Sequence, residues 1–335
     1  MDPMITSTSG PAATRVGVAA SEPRSRFKRA LEDGGQVITA ELAVPATVAH
    51  ELIVERAREL ARPLVVAVNI TDGLRGRPAL SNVAAAAILT HADIGIEPIL
   101  QLTARSRTRN MLIADLLGAS ALGVRNLLCM TGDLPENSAD IRDVDVFDLL
   151  TLARAFPAGL GLELLGPADP FCVGAAWSPF APDPADEMDR LRRKRASGAQ
   201  FIQTQPVFDG AAFAAAMAGM PAELSGLPII VGLSAVRSAE HARRLATIPG
   251  IVIPRRLIEL LEGCTDDAQA SERFWEYLDG ELDWLARNAP IRGCHLMPLG
   301  HSKRSMRQGS SFDHLYRSAA RITGGGSRAS LTPHA

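Results

Sequence analysis

Polar side chains stand at or just after the ends of several short apolar runs, which is where an enzyme built on parallel strands carries its chemistry. Glu41 closes the apolar run VITAE, Asp133 lies in the turn TGDLP, and Gln205 ends the run AQFIQTQ. A carboxyl group in an apolar setting has a raised pKa and can donate a proton near neutral pH. A primary amide can donate to and accept from the edge of a heterocycle at once. These residue types indicate proton transfer to a small heterocyclic substrate.

Each of these positions also has an ordinary structural interpretation. Glu41 could be an exposed glutamate at a strand end, and Asp133 could be the N-cap of the next helix. A buried glutamine such as Gln205 could satisfy neighbouring backbone groups, which is the role that we expect for Gln203. The whole set is harder to explain in this way, because six predicted strands deliver polar groups to one edge.

Eight apolar runs alternate with segments of helical periodicity. The predicted strands span residues 37–42, 64–70, 96–102, 124–130, 171–177, 199–205, 227–233 and 293–299. Nearly continuous apolar runs are typical of parallel strands that are covered on both faces. Most of the strands start about 27–32 residues apart, the size of one βα unit. The sequence therefore predicts an α/β fold, a single-domain (β/α)8 TIM barrel, with a doubly wound sheet as the alternative because spacing does not prove closure.

Composition narrows the expected environment and partners. We expect a flexible N-terminal tail over 1–34, the barrel over 35–305 and a largely flexible extension over 306–335. The 35 basic and 37 acidic residues give a formal net charge of −2, which argues against nucleic acid or an anionic membrane as partner. There is no apolar stretch of membrane-spanning length and no secretory signal pattern. Four widely separated cysteines predict neither a metal site nor disulfides, so we expect a cytoplasmic protein.

Longer motifs carry a resemblance to a known family. ITAEL around Glu41, VNITDG around Thr71, GIEPILQLTARSRTRN, LGVRNLLCMTGDLP around Asp133 and RRKRASGAQFIQTQPVFD around Gln205 follow one another over roughly residues 36–300. In these motifs the chain resembles the methylenetetrahydrofolate reductases, which are flavin-dependent TIM-barrel oxidoreductases. QLT and TGDLP place it nearer a bacterial branch with these variants than nearer the best-studied reductases, which have histidine before LT and arginine before GD.

The resemblance implies the reduction of 5,10-methylenetetrahydrofolate to 5-methyltetrahydrofolate, a reaction of one-carbon metabolism and methionine biosynthesis, with NADH or NADPH reloading a bound FAD. It implies that Glu41 is the general acid that protonates N10, that Asp133 lies near the pterin and the flavin, and that Gln205 binds the pterin. The positions that match FAD contacts of the family are Thr71, Gln101, Met130, Thr131, Gly132, Asp133, Ala175 and Lys194. Gln101 replaces the family's histidine, and Thr131 replaces its arginine. The loss of the guanidinium group weakens the attraction for a diphosphate.

Two other functions stay open at this point. One is a flavin-free or partner-dependent tetrahydrofolate enzyme of a methyl-transfer or demethylation pathway. The other is a non-catalytic folate-binding subunit, against which the retained Glu41 argues, since a binding protein has no use for a positioned acid. The sequence does not choose between NADH and NADPH, or between a homo-oligomer and a chain that joins a partner subunit.

Overall fold

Eight parallel strands pair in sequence order, and the first strand also pairs with the last, so that the sheet closes into a barrel. The computed structural model describes residues 25–73, 77–134, 141–297 and 310–323. The strands are β1 Val37–Leu42, β2 Val65–Ile70, β3 Glu97–Thr103, β4 Asn126–Met130, β5 Cys172–Trp177, β6 Phe201–Pro206, β7 Ile229–Ser234 and β8 Gly293–Met297. This confirms the predicted TIM barrel and excludes the doubly wound sheet, whose edge strands would not pair with each other.

Helices alternate with the strands and cover the outside of the barrel. They are α1 Arg26–Glu32, α2 His50–Leu60, α3 Asn82–Ala92, α4 Arg109–Ala121, α5 Val146–Ala155, α6 Pro184–Ala196, α7 Gly210–Ala218, α8 Ala239–Leu245, α9 Arg255–Glu262, α10 Asp267–Asn288 and α11 Ser310–Ile322. The wide spacing between the last two predicted strands is filled by three of these helices, α8 to α10. None of the helices in the described ranges combines the length and the apolar composition needed to cross a membrane.

The apolar side chains separate into two clusters because successive residues of a strand point to opposite faces. Outward-facing strand residues pack against the helices and form the larger cluster. Inward-facing residues near the strand starts form a second cluster inside the barrel, which includes Val37, Ala67, Ile99, Leu128 and Phe201. This alternation means that only every second residue of each strand can contribute a side chain to the interior.

Helix α1 closes the N-terminal end of the barrel. Phe27 is fully buried in the interior cluster, and its ring meets the Phe201 ring edge-on with a centroid separation of 5.0 Å. Glu97 accepts hydrogen bonds from the Ser25 hydroxyl at 2.8 Å and from the Phe27 amide at 3.2 Å, which fixes the start of the helix. The expectation of a flexible tail is therefore wrong for residues 25–33, while residues 1–24 lie outside the described part of the chain.

The predicted C-terminal extension contains the ordered helix α11. Leu315 is fully buried against the barrel and α10. Arg321 forms ion pairs with Asp279 at 3.0 Å and Asp283 at 3.1 Å, both on α10. The expectation of flexibility is therefore wrong for α11, because an amphipathic helix with an apolar face packs on the barrel. Residues 298–309 and 324–335 lie outside the described residues.

Replacing Phe27 by alanine should lower the free energy of unfolding by about 3–5 kcal/mol, because it leaves a cavity at the closed end of the barrel. Equilibrium unfolding in urea measures this loss. The matched control is Glu32→Ala on the exposed face of the same helix, which should cost less than about 0.5 kcal/mol. Equal, small losses in the two variants would contradict the docking of α1.

Candidate active site

A buried polar layer lies inside the barrel above the apolar cluster. The amide of Asn69 donates to Gln203 Oε1 at 2.6 Å, and Gln203 Nε2 donates to the Thr39 hydroxyl at 3.2 Å. The same hydroxyl lies 2.9 Å from His295 Nδ1, and burial lowers the pKa of His295 to about 3, so that its ring is neutral. Gln203 is thus structural, but its partners are the side chains of Asn69 and Thr39 and not the neighbouring backbone groups that we expected. Because these groups satisfy one another, the layer forms a rigid floor beneath the C-terminal mouth of the barrel.

Glu41 is the next inward-facing side chain of β1 above this floor. Only 8% of the residue is exposed, and burial raises the pKa of Glu41 to about 7, against an opposing hydrogen bond from the side chain of Gln101 on β3. A carboxyl group with this pKa is protonated in about half of the molecules at neutral pH. The interpretation of Glu41 as an exposed strand-end residue is therefore wrong. Its setting is that of a group able to donate a proton.

Asp133 lies on the loop that follows β4 and is exposed. Gly132 adopts a positive φ of 81°, and a Cβ at this position would lie 2.8 Å from Thr103 Cβ, so the loop lies tightly against β3. Arg105 donates to the main-chain oxygen of Asp133 at 3.0 Å and fixes the loop further. The next helix, α5, has Asp145 as its N-cap, so capping α5 does not explain Asp133.

An ion-pair cluster that the sequence did not predict joins the loops after β2 and β3. Asp72 accepts from the Thr103 hydroxyl at 2.6 Å and from both terminal nitrogens of Arg107, with Nη2 3.0 Å from Oδ1. Burial alone would raise the pKa of Asp72, but the hydrogen bonds and charge of Arg107 outweigh it and hold that pKa below its usual range. Arg107 also pairs with Asp115 on α4 at 3.1 Å. The available signal was an acidic residue after one strand and two arginines after the next.

Arg105 joins this cluster to the loop of Asp133. Its Nη2 donates to the Asp72 main-chain oxygen at 2.8 Å, and its Nη1 donates to the Gly73 oxygen at 3.3 Å as well as to that of Asp133. Its own amide donates to the Thr131 oxygen at 3.0 Å. One guanidinium group therefore holds together the loops that follow β2, β3 and β4.

Gln205 marks the opposite side of the mouth, at the end of β6, where it is half-buried. Gly250, in the segment between α8 and α9, has a φ of 81° and lies between two side chains. A Cβ on Gly250 would be 2.7 Å from Ser178 Oγ and 3.3 Å from Gln205 Cγ. The end of β5, the end of β6 and this segment therefore meet around Gln205. Ser178 and Gly250 are neighbours that the sequence did not assign to the site.

Lys194 is not a free cation. Its ammonium group donates to the Ala176 main-chain oxygen at 2.8 Å and lies 3.5 Å from Glu187 Oε1, with only 9% of the lysine side chain exposed. Burial lowers the pKa of Lys194, and the charge of Glu187 opposes this effect. The same Glu187 oxygen accepts from the Ser178 amide at 3.2 Å. The pair therefore holds the loop after β5 in place.

The positions that the resemblance assigns to a flavin divide into two groups. Met130 and Thr131 are half-buried at the end of β4, beside Gly132, and suit the flat ring of the cofactor. The side chains of the other group are engaged in contacts within the protein. The Thr71 hydroxyl accepts from the Val44 amide at 2.9 Å, and Ala175 is fully buried in the cluster between the sheet and the helices.

Lys194, the cation expected to reach the cofactor diphosphate, is paired within the protein, and Gln101 contacts Glu41. Of these positions, Met130, Thr131 and Gly132 fit the ring end of a flavin, whereas Lys194 is held by Glu187 and is not available to its diphosphate. Within the described ranges, no three His, Cys, Asp or Glu side chains lie close enough together to bind a metal ion.

Comparisons with known proteins agree with the motifs. Residues 26–307 match the family model described as methylenetetrahydrofolate reductase. The chain is 25% identical over 260 residues to the probable methylenetetrahydrofolate reductase (NADPH) of Caenorhabditis elegans, covering 74% of this chain and 38% of the relative. It is 26% identical over 228 residues to methylenetetrahydrofolate reductase 1 of Schizosaccharomyces pombe, covering 64% and 35%. The chain thus spans little more than a third of the length of these curated relatives.

One solved structure shares the barrel over almost its whole length. It is a Clostridium thermocellum protein described as binding two copies of 5-methyl-5,6,7,8-tetrahydrofolic acid. The two folds agree with a TM-score of 0.61 at 13% sequence identity, covering 88% of this chain and 98% of the other. At this identity the agreement concerns the fold.

Replacing Asp72 by asparagine should lower the free energy of unfolding at pH 7 by about 2 kcal/mol, because a partly buried arginine loses one of two partners. Since the pKa of Asp72 is lowered on folding, its contribution is present above the unfolded value near pH ~4 and is lost as the pH falls through the folded value. Urea unfolding at several pH values should therefore show the wild type and the variant converging in acid. Glu240→Gln, at an exposed pair with Arg244, is the control and should change little.

Proposed function

This chain belongs to the methylenetetrahydrofolate reductase family, and from that premise we propose that it reduces 5,10-methylenetetrahydrofolate to 5-methyltetrahydrofolate. The observation that carries the proposal is Glu41, a buried carboxyl group at the barrel mouth with a pKa raised to about 7. A protein that only bound folate would gain nothing from keeping a protonated acid there. The reductase names of the curated relatives support the same activity.

The reaction needs an acid because the methylene carbon of the substrate is bonded to both N5 and N10. In our proposal Glu41 donates its proton to N10, the bond between N10 and the methylene carbon breaks, and an iminium ion forms at N5. A hydride then adds to the methylene carbon and gives the 5-methyl product. Glu41 leaves the step as a carboxylate and recovers a proton from water before the next turnover.

We assign the other two polar groups to binding. Gln205 presents an amide that can donate to and accept from the pterin edge, and Gly250 leaves the space beside it free of a side chain. Asp133 presents a carboxylate on a loop that Arg105 and Gly132 hold in place. A negative charge held near the substrate favours the cationic iminium over the neutral starting material. The pterin would therefore lie between the ends of β4 and β6, above Glu41.

We propose NADH or NADPH as the reductant and FAD as the carrier. When bound, a flavin supplies a group that takes a hydride from the nicotinamide and passes it to the folate in the same pocket. Met130, Thr131 and Gly132 would hold its ring. The protein's own part in the cycle is to orient the folate through Gln205 and to supply the proton from Glu41.

A second candidate is a flavin-free or partner-dependent tetrahydrofolate enzyme on the same site. The specific observation in its favour is the pairing of Lys194 with Glu187, which leaves this lysine unavailable to a diphosphate. The fully buried Thr71, whose hydroxyl accepts from the Val44 amide, points the same way. Glu41 and Gln205 keep their roles in this candidate, since both act on the folate.

Replacing Glu41 by glutamine should lower the rate of folate reduction by about 100-fold or more while folate binding persists, because the amide cannot protonate N10. In the wild type the rate should fall as the pH rises through about 7, where Glu41 loses its proton. Stopped-flow experiments measure the folate-dependent half-reaction and the oxidation of the nicotinamide separately, and so show which of the two half-reactions is lost. The control is Glu163→Gln at an exposed position. Equal loss of both half-reactions, or full activity of Glu41→Gln, would count against the acid role.

The absorption spectrum of the purified protein distinguishes the two candidates. A flavin band that NADH or NADPH bleaches under anaerobic conditions, and that methylenetetrahydrofolate restores, is expected for the flavin-dependent reductase. A colourless protein that binds folate and oxidises the nicotinamide without added FAD is expected for the flavin-free form. A protein that neither binds folate nor responds to it would overturn both.

A further inference from the structure

We propose that Gln101 is the positioning residue of the acid, and that its side-chain amide holds the carboxyl group of Glu41 through both halves of the proton cycle. The inference rests on the proposed function, in which Glu41 gives a proton to N10 and then regains one. It moves Gln101 from the expected flavin contact to a role beside the acid.

The two side chains meet above the polar floor. Glu41 pairs across β1 and β2 with Asn69, and Asn69 pairs across β2 and β3 with Ile99. Gln101 is the next inward-facing residue of β3 after Ile99, so its side chain emerges at the mouth. Its side chain lowers the pKa of Glu41 through a hydrogen bond, and its exposed fraction of 7% is close to the 8% of Glu41. Both groups are therefore shielded from water. A hydrogen bond between them has most effect in such a setting.

The main chain of Gln101 is fixed independently of its amide. Asn82, which is fully buried at the start of α3, donates from Nδ2 to the main-chain oxygen of Gln101 at 2.5 Å. The Asn82 oxygen in turn accepts from the Val83 amide at 2.9 Å. The base of the glutamine side chain is thus anchored, while its terminal amide can rotate about the last torsion.

An amide suits a partner that changes its protonation state. Gln101 can accept from the hydroxyl of the protonated Glu41 through Oε1, and it can donate to the carboxylate through Nε2. Rotation of the amide group by half a turn exchanges the two atoms, and the terminal torsion of glutamine is broad enough to allow it. A purely donating partner would favour only the anion and would hinder the return of the proton. Gln101 can therefore keep the carboxyl group in one orientation throughout the cycle.

The titratable groups on the elements around Glu41 are paired with other groups or uncharged. Asp72 and Arg107, beyond β2 and β3, neutralise each other, and His295 on β8 is uncharged. Arg56 of α2 donates to a main-chain oxygen just after β1. In the described residues, burial and the hydrogen bond from Gln101 are the two influences on the pKa of Glu41, and the hydrogen bond lowers it.

The test is Gln101→Met, which keeps the length of the side chain and removes the amide. Carbon-13 NMR of the glutamate carboxyl groups in the full, unliganded chain follows the titration of Glu41, with Glu41→Gln assigning its signal. The variant loses the bonds to both forms of Glu41, but the charge-assisted bond to the anion is the stronger, so the midpoint should rise by about one pH unit. The ratio of the folate-reduction rate at pH 8 to that at pH 6 should then increase about fivefold, while the maximal rate falls because the acid is less well oriented.

A second variant, Gln101→Asn, keeps the amide but withdraws it by one methylene group, and it should move the midpoint in the same direction. If one variant does not fold, the titration midpoint of the other still tests the proposal. A midpoint that stays at the wild-type value in a folded variant overturns the proposal, even if activity falls. If the midpoint shifts but the wild-type protein does not reduce methylenetetrahydrofolate, the contact with Glu41 is supported and the proposed function is overturned instead.

Discussion

The burial of one carboxyl group at the open end of a closed barrel is the constraint on which the rest of the site depends. Ionised Glu41 would lose much of its hydration, and for this reason it keeps its proton up to about pH 7. The other end of the barrel is closed by the apolar contact of Phe27 with Phe201. The polar floor above that contact satisfies its own hydrogen bonds. Proton exchange at Glu41 must therefore pass through the mouth, where the substrate would bind.

The ion pairs around the mouth protect this arrangement. A free guanidinium group near Glu41 would stabilise its anion and lower its pKa. Arg107 is held by Asp72 and Asp115, and Arg105 donates to main-chain oxygens of three loops. The cluster thus positions the loop of Asp133 without placing an unpaired positive charge beside the acid. Loop geometry and acid strength are maintained by the same set of contacts.

The barrel could be predicted, and so could the positions of Glu41 and Gln205 at strand ends, because both follow from local patterns. Continuous apolar runs indicate buried parallel strands, and Glu41 and Gln205 lie at the ends of such runs. The docking of α1 could not be predicted, since Phe27 and Leu31 follow a segment rich in Ser, Thr, Pro and Gly that suggests a tail. The outward direction of Ala175 depends on strand alternation and hence on an exact register. Contacts such as that of Gln101 with Glu41 depend on the register and curvature of β1, β2 and β3, which bring together side chains 60 residues apart.

The buried pair of Lys194 and Glu187 would link the binding of a flavin to the proposed folate site. A diphosphate that used Lys194 would have to compete with Glu187, which lies 3.5 Å from it in a poorly hydrated setting. Glu187 also accepts from the Ser178 amide, and Ser178 packs against Gly250 beside Gln205. Displacing Glu187 would therefore disturb the loop that borders the amide assigned to the pterin. In this chain, Lys194 could reach a flavin only if Glu187 released it, and moving Glu187 would disturb the loop beside Gln205.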